Sequence, residues 1–134
     1  MNDEKTWGMY HVFFNYDTKY FIPLLRVEED EFGFIQTYWK GYCINSGKEN
    51  ASDPNPSHHI YDVEINPNLN CPPLIRKSYV NIGRLEMVAE RDLDDFRRIL
   101  DRGSQKRIKE SAQNCHLLSE NQRDLICALP TRRY

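Results

Sequence analysis

No stretch of this 134-residue chain forms a phosphate-cradling glycine-rich loop, a Gly-x-Ser-x-Gly elbow or a His-Glu-x-x-His helix. The reactions those motifs announce therefore have no local signature here. The four cysteines, Cys43, Cys71, Cys115 and Cys127, include no Cys-x-x-Cys pair. That spacing argues against a zinc ribbon and for reduced thiols serving as small core or surface residues. There is no basic and apolar leader at the first residues, and no apolar run approaches the roughly 20 residues of a membrane helix. A soluble cytoplasmic protein is expected, with no membrane partner. Charge of one sign is lacking too: 18 Lys and Arg face 20 Asp and Glu, so a nucleic-acid partner must be met by a local patch.

What is present is an ordinary globular composition, 40% apolar with eight Tyr and six Phe. It can support one hydrophobic core and one domain spanning residues 1–134. The stretch from Lys77 to Leu93 organises the rest. Val80 and Ile82 share one face of a strand, the apolar phase changes parity after Gly83, and Leu85 and Met87 follow on the other. A glycine at such a slip predicts a bulge or tight bend where a positive φ is allowed. The acids Glu90, Asp92, Asp94 and Asp95 suit a helix start, and Leu93, Phe96 and Leu100 predict a helix over about 90–101 that stops at Gly103.

Upstream, Met9–Phe14 reads as a strand followed by the turn 15–18, and Tyr20–Val27 as a second strand. Glu28–Gly33 reads as an acidic hairpin loop into a third strand, Phe34–Ile44, with Gly41 bending it. Residues 45–57 read as a long surface loop, and His59–Ile65 as a fourth strand with Tyr61, Val63 and Ile65 inward. Downstream, Ser104 is placed to cap a helix bearing Ile108, Ala112 and Cys115. Ser119 with Gln122 has capping-box spacing for a short helix bearing Leu125, Ile126 and Leu129. The tail 131–134 should fray. Strands followed by helices predict an α+β fold, a small antiparallel barrel over about 9–89 with helices over about 90–129 packed to one side.

Several side chains could carry chemistry. His58 and His59 could titrate near neutral pH, although neighbours on a strand point apart, which leaves His58 as the candidate acid, base or phosphate contact. A metal would need a further ligand from His11, His116 or a cysteine, and no metal or other cofactor is expected. Tyr38, Trp39 and Lys40 interleave rings with a cation, as single-stranded nucleic-acid grooves do. The bland alternative is a core strand with an exposed lysine. Arg26, followed by acids, suggests a surface ion pair. Arg97, Arg98, Arg102, Lys106, Arg107 and Lys109 make the predicted helical hairpin basic, as a solvated face or a nucleic-acid surface.

Residues 62–66 together with Lys77 to Leu93, through Ser78, Val80, Leu85 to Val88, Arg91 and Leu93, resemble the second half of the MazF/PemK toxins, including the Kid-like members. Lys19–Val27 is similar to their second strand, a Lys-x-Arg-Pro followed by aliphatics, and Cys43-Ile44-Asn45-Ser46 to their strand ending in Ile-Thr-Ser. The resemblance implies an SH3-like barrel that forms a homodimer, is held by an antitoxin, and cleaves single-stranded RNA without metal. It also marks departures. The family's arginine before the proline is Ile22, its threonine is Asn45 beside Ser46, and its first loop is cut to residues 15–18. The shortened loop and Lys19–Leu24 also resemble RNA-antagonised toxins of type III, whose Thr-Ser-Pro-Lys run is replaced by Leu25–Glu28. Substitutes for the missing groups are Arg26, Ser46 and His58 for catalysis, and Tyr38, Lys40, Asn45 and Lys77 for RNA binding. The alternative is a silent barrel of the same shape that binds a protein or RNA.

Overall fold

The computed structural model describes residues 4–14, 16–46 and 60–133, with Phe14 and Ser46 described by their backbone alone. Seven strands form one sheet: β1 (Gly8–Phe14), β2 (Asp17–Glu31), β3 (Phe34–Ser46), β4 (Val63–Ile65), β5 (Ser78–Val80), β6 (Glu86–Ala89) and β7 (Phe96–Ile99). Two helices follow, α1 (Arg102–Asn114) and α2 (Glu120–Cys127). The order across the sheet is β4-β5-β3-β2-β1-β7, every pairing is antiparallel, and β6 also pairs with β3. The result is a curled half-barrel of α+β class.

The organising stretch works as a corner. β5 pairs with the last residues of β3, Ile44 to Ser46, and β6 with an earlier part, Tyr38 to Gly41. The parity slip thus lets one segment lie along β3 twice. Gly83 has an ordinary φ, so the expected positive φ is corrected. What crowds a side chain there is Leu117, whose Cδ1 would lie 2.6 Å from an added Cβ. The Tyr42 hydroxyl pins the turn by donating to the Ile82 carbonyl at 2.7 Å.

Strand alternation sends apolar residues to both faces of β2 and β3. The larger cluster includes Trp7, Met9, Ile22, Leu24, Tyr42, Ile44, Ile65, Val80 and Ile82. It is closed by Leu100, Ile108, Ala112, Cys115 and Ile126 around the two helices. The smaller cluster, on the opposite face, is Tyr10, Val12, Phe21, Trp39, Cys43, Val88 and Leu93. Burial, aided by the Glu86 charge, pushes the Cys43 thiol up to about 12, so it stays protonated. A bulge in β2 between Pro23 and Leu25 turns Leu25 to the same face as Ile22 and Leu24, where it packs against the larger cluster. Gly41 lies opposite Pro23, and a Cβ on it would sit 1.9 Å from the Ile22 carbonyl oxygen.

Five expectations are corrected. Residues 28–31 are strand, not loop, because β2 and β3 stay in register from Glu28↔Thr37 to Glu31↔Phe34 and turn on Phe32 and Gly33 alone, both at positive φ. The fourth strand is shorter than 59–65, starting at Val63. The helix over 90–101 is instead a 3-10 turn, Glu90–Asp92, and then β7, which supplies the outer partner β1 would otherwise lack. A short helix is marginal by itself and loses to that pairing. Helix α1 is capped by Asp101, which accepts from the Ser104 N–H at 3.0 Å, so Gly103 lies in the first turn and Ser104 is buried. Finally, the tail is tied at Arg132, whose N–H donates to Gln105 Oε1 at 2.8 Å and whose guanidinium donates to the Thr6 carbonyl at 2.6 Å. The capping box of Ser119 and Gln122 forms as expected.

Beneath α1 lies a buried polar knot. Asn70 donates to Asp101 Oδ1 at 2.7 Å and accepts from the Asp101 N–H at 3.0 Å. Burial works to raise the Asp101 pKa, but bonds from Ser104 and Asn70 outweigh it and leave the carboxyl below its ordinary value.

Candidate nucleic-acid interface

Lys19 and Tyr20 are neighbours on β2 and therefore point to opposite faces. On the face of the smaller cluster, Lys19 Nζ donates to Asn45 Oδ1 at 3.3 Å. Asn45 pairs with Tyr79, Tyr79 with Glu64, and Lys77 Nζ lies 3.8 Å from Glu64 Oε1. With neighbouring strands about 4.8 Å apart, this polar row crosses four strands and carries a lysine near each end. The Glu64 carboxylate takes up part of the Lys77 charge, which leaves Lys19 as the end of the row whose cation faces an amide rather than an acid.

On the other face, the His11 ring stands opposite Tyr20, with centroids 5.1 Å apart. Asp95 precedes β7 and reaches back to the same place. Its carbonyl accepts from the His11 N–H at 3.0 Å, and its Oδ2 lies 3.6 Å from His11 Nδ1. Arg97 grips the carboxylate with two prongs, Nε to Oδ1 and one terminal nitrogen to Oδ2, each 3.0 Å. Those bonds, the guanidinium charge and His11 hold the Asp95 carboxyl below its usual range, so it is an anion at neutral pH. With the carboxylate on the Nδ1 side, Nε2 is the ring nitrogen left to face a ligand. The side chains of His11, Asp95 and Arg97 are 33%, 46% and 39% exposed, so a ligand can reach them.

Two rings flank these groups where β1 turns into β2. Phe13 is 72% exposed and Tyr16 is 96% exposed. Exposed rings beside cations are what base stacking on a single strand requires. The outer pairing of β1 with β7 ends at Tyr10, so the β1 edge beyond His11 is open between the two faces. Imidazole, carboxylate, guanidinium, phenol, amine and stacking rings therefore gather at the β1–β2 end.

Among the described residues, those singled out from sequence do not form one site. Asn45 and Lys77 belong to the polar row. Ser46 follows Asn45, but its side chain, like His58, His59 and most of the 45–57 loop, lies outside the described residues. Arg26 sits at the far end of β2, donating to Glu28 at 2.7 Å and lying 4.0 Å from Glu90, so its charge is taken up by two carboxylates. The surface ion pair expected for it is present. Tyr38 donates to Glu31 at 2.7 Å, and Lys40 lies between Leu25 and Met87 on the face opposite Arg26. Five steps along the strand, roughly 17 Å, separate Lys40 from Asn45. The basic patch also divides. Arg97 and Arg98 are on β7, while Arg107 donates to the Glu64 carbonyl and Lys109 to the Leu129 carbonyl. His116 is bonded to the Tyr61 hydroxyl at 2.7 Å, and no three His, Cys, Asp or Glu side chains group as metal ligands among the described residues.

His11, Asp95 and Arg97 were not legible as a unit. Asp-x-Arg is a strand alternation as well as part of a helix, and only the strand reading brings both side chains toward β1.

No family model matches the chain, and no curated protein matches it. Among solved structures, it is similar to an endoribonuclease in complex with its cognate antitoxin from a mycobacterial species. That likeness has a TM-score of 0.55 and 15% identity, over 85% of this chain and 93% of the other. It is a likeness of fold, and it agrees with the curled antiparallel sheet and the two C-terminal helices. No helix in the described residues is long and apolar enough to cross a membrane.

Proposed function

We propose that this protein is a toxin of a toxin–antitoxin pair, of MazF/PemK type, that cleaves single-stranded RNA in the cytoplasm without a metal. The observation that carries the reading is the likeness of fold to an antitoxin-bound endoribonuclease over 85% of the chain. The chemistry comes from the β1–β2 end. RNA lies over the open edge of β1, with bases against Phe13 and Tyr16 and the backbone along Lys19, Asn45 and Lys77.

In the cleavage step the ribose 2′-hydroxyl gives its proton to His11 Nε2 and its oxygen bonds to phosphorus. The P–O5′ bond breaks, and the departing oxygen takes a proton from the Tyr20 hydroxyl, which water restores as His11 releases its own. Products are a 2′,3′-cyclic phosphate and a 5′-hydroxyl. Asp95 holds the imidazole. Two nitrogens of Arg97 are bound to Asp95, and its third is left to meet the charge that builds on the phosphorane. Ser46, His58 and Arg26 are the alternative source of catalytic groups, to which the chemistry passes if His11 proves dispensable. A homodimer and a protein or RNA antitoxin complete the proposal.

A binding-only reading is favoured by one observation: Ile22, which stands where the toxins resembled have arginine, is fully buried in the larger cluster. Freshly purified protein incubated with mixed RNA in EDTA separates the two. Fragments with cyclic phosphate ends support the nuclease. RNA retained intact on the protein supports the binding module.

A further inference from the structure

The outer half of the β2–β3 hairpin is built for something other than the core. β1 pairs with β2 only up to Phe21, and β6 with β3 only from Tyr38 onward. Between them the hairpin runs on as a two-stranded arm to a turn at Phe32 and Gly33. Phe32 is fully exposed and sits at φ 54°, a region disfavoured for a bulky side chain, where asparagine would serve the turn better. Phe34 and Ile35 are 71% and 69% exposed on opposite faces of the arm. A bulky ring held at a backbone cost and given nothing to pack on points to a ligand.

The charge says which ligand. Glu28, Glu29, Asp30 and Glu31 are consecutive, and no lysine or arginine occurs between Arg26 and Lys40, in a chain whose net charge is only −2. RNA is repelled by such an arm. A second copy docking arm to arm would set carboxylates against carboxylates. We infer that the arm is a docking strand for a basic, extended segment of a partner protein, which adds along the open edge of β2 from Val27 to Glu31. Lysines or arginines of the segment lie across from the glutamates, and its apolar residues cover Phe32 and Phe34. This surface does not rest on the nuclease reading, since it shares no residue with the His11 group.

The test uses the full chain labelled with nitrogen-15 and a synthetic peptide of about nine residues alternating lysine and valine, long enough to span the edge. Amide shifts confined to residues 26–37 are expected. Phe32→Asn should weaken binding roughly tenfold or more while the melting temperature holds or rises, because Asn-Gly suits this turn. The same peptide with alternate amides N-methylated, which keeps its charge but removes the ladder bonds, should also lose roughly tenfold. Shifts elsewhere, no shifts, equal binding by the methylated peptide, or Phe32→Asn lowering stability without touching affinity would each overturn the inference. So would concentration-dependent self-association mapped to the arm.

Discussion

The two ends of the β2–β3 hairpin are made of the same pair of strands and do opposite work. At the inner end the hairpin is flanked by β1 on one side and by β5 and β6 on the other, and Phe21, Ile22, Tyr42 and Cys43 are buried on its two faces. At the outer end no other strand among the described residues flanks it, and Phe32, Phe34 and Ile35 face solvent among acids. Strand pairing alone is therefore not what stabilises this fold. The stabilising difference is apolar area removed from water at one end and left in water at the other.

Substitutions along the hairpin should follow that gradient. Gly41→Ala is expected to cost most, about 3 kcal/mol or more, since its Cβ would overlap backbone at Ile22 and the neighbouring strands are held in register on both sides. Chemical denaturation reads this directly, and a loss under 1 kcal/mol would mean that the inner end gives way easily. Asp101→Asn extends the comparison to the helix side, where it should cost about 2 kcal/mol at neutral pH by loosening the buried knot. Its sign with pH is fixed. The folded pKa of Asp101 lies below the unfolded value of about 3.9, so its contribution is present above that pH and is lost as pH falls through the folded value. Melting curves of wild type and variant should therefore converge below about pH 4, and parallel curves would remove Asp101 from the account. Tyr42→Phe leaves the Ile82 carbonyl without its buried donor and should cost about 1–2 kcal/mol. Phe34→Ser at the outer end should change stability by no more than about 0.5 kcal/mol, and a larger loss would show that the arm is structural after all.

The inner hairpin was largely legible because alternation has a meaning only where one side is buried. Val80, Ile82, Leu85 and Met87 announced a corner, and Ser119 with Gln122 announced a cap, since both signals are local. Residues 28–31 read as a loop for the same reason: they are exposed on both faces, so no period marks them as strand, whereas the facing strand from Phe34 is legible. Residues 93–100 were misread because Leu93 and Leu100 share a helical spacing but belong to different clusters, and only the open edge of β1 decides for a strand. The same error hid the candidate site. His11 stands out only when Asp95 and Arg97 are placed beside it, and that placement is tertiary.

The most direct test of the account is cleavage of a single-stranded RNA in EDTA by the wild type, His11→Ala and His58→Ala, with end groups identified and melting temperatures matched. The account predicts cyclic phosphate ends from the wild type, a rate lower by about a hundredfold or more for His11→Ala, and little change for His58→Ala. Intact RNA with the wild type, or an undiminished rate from His11→Ala, would contradict it.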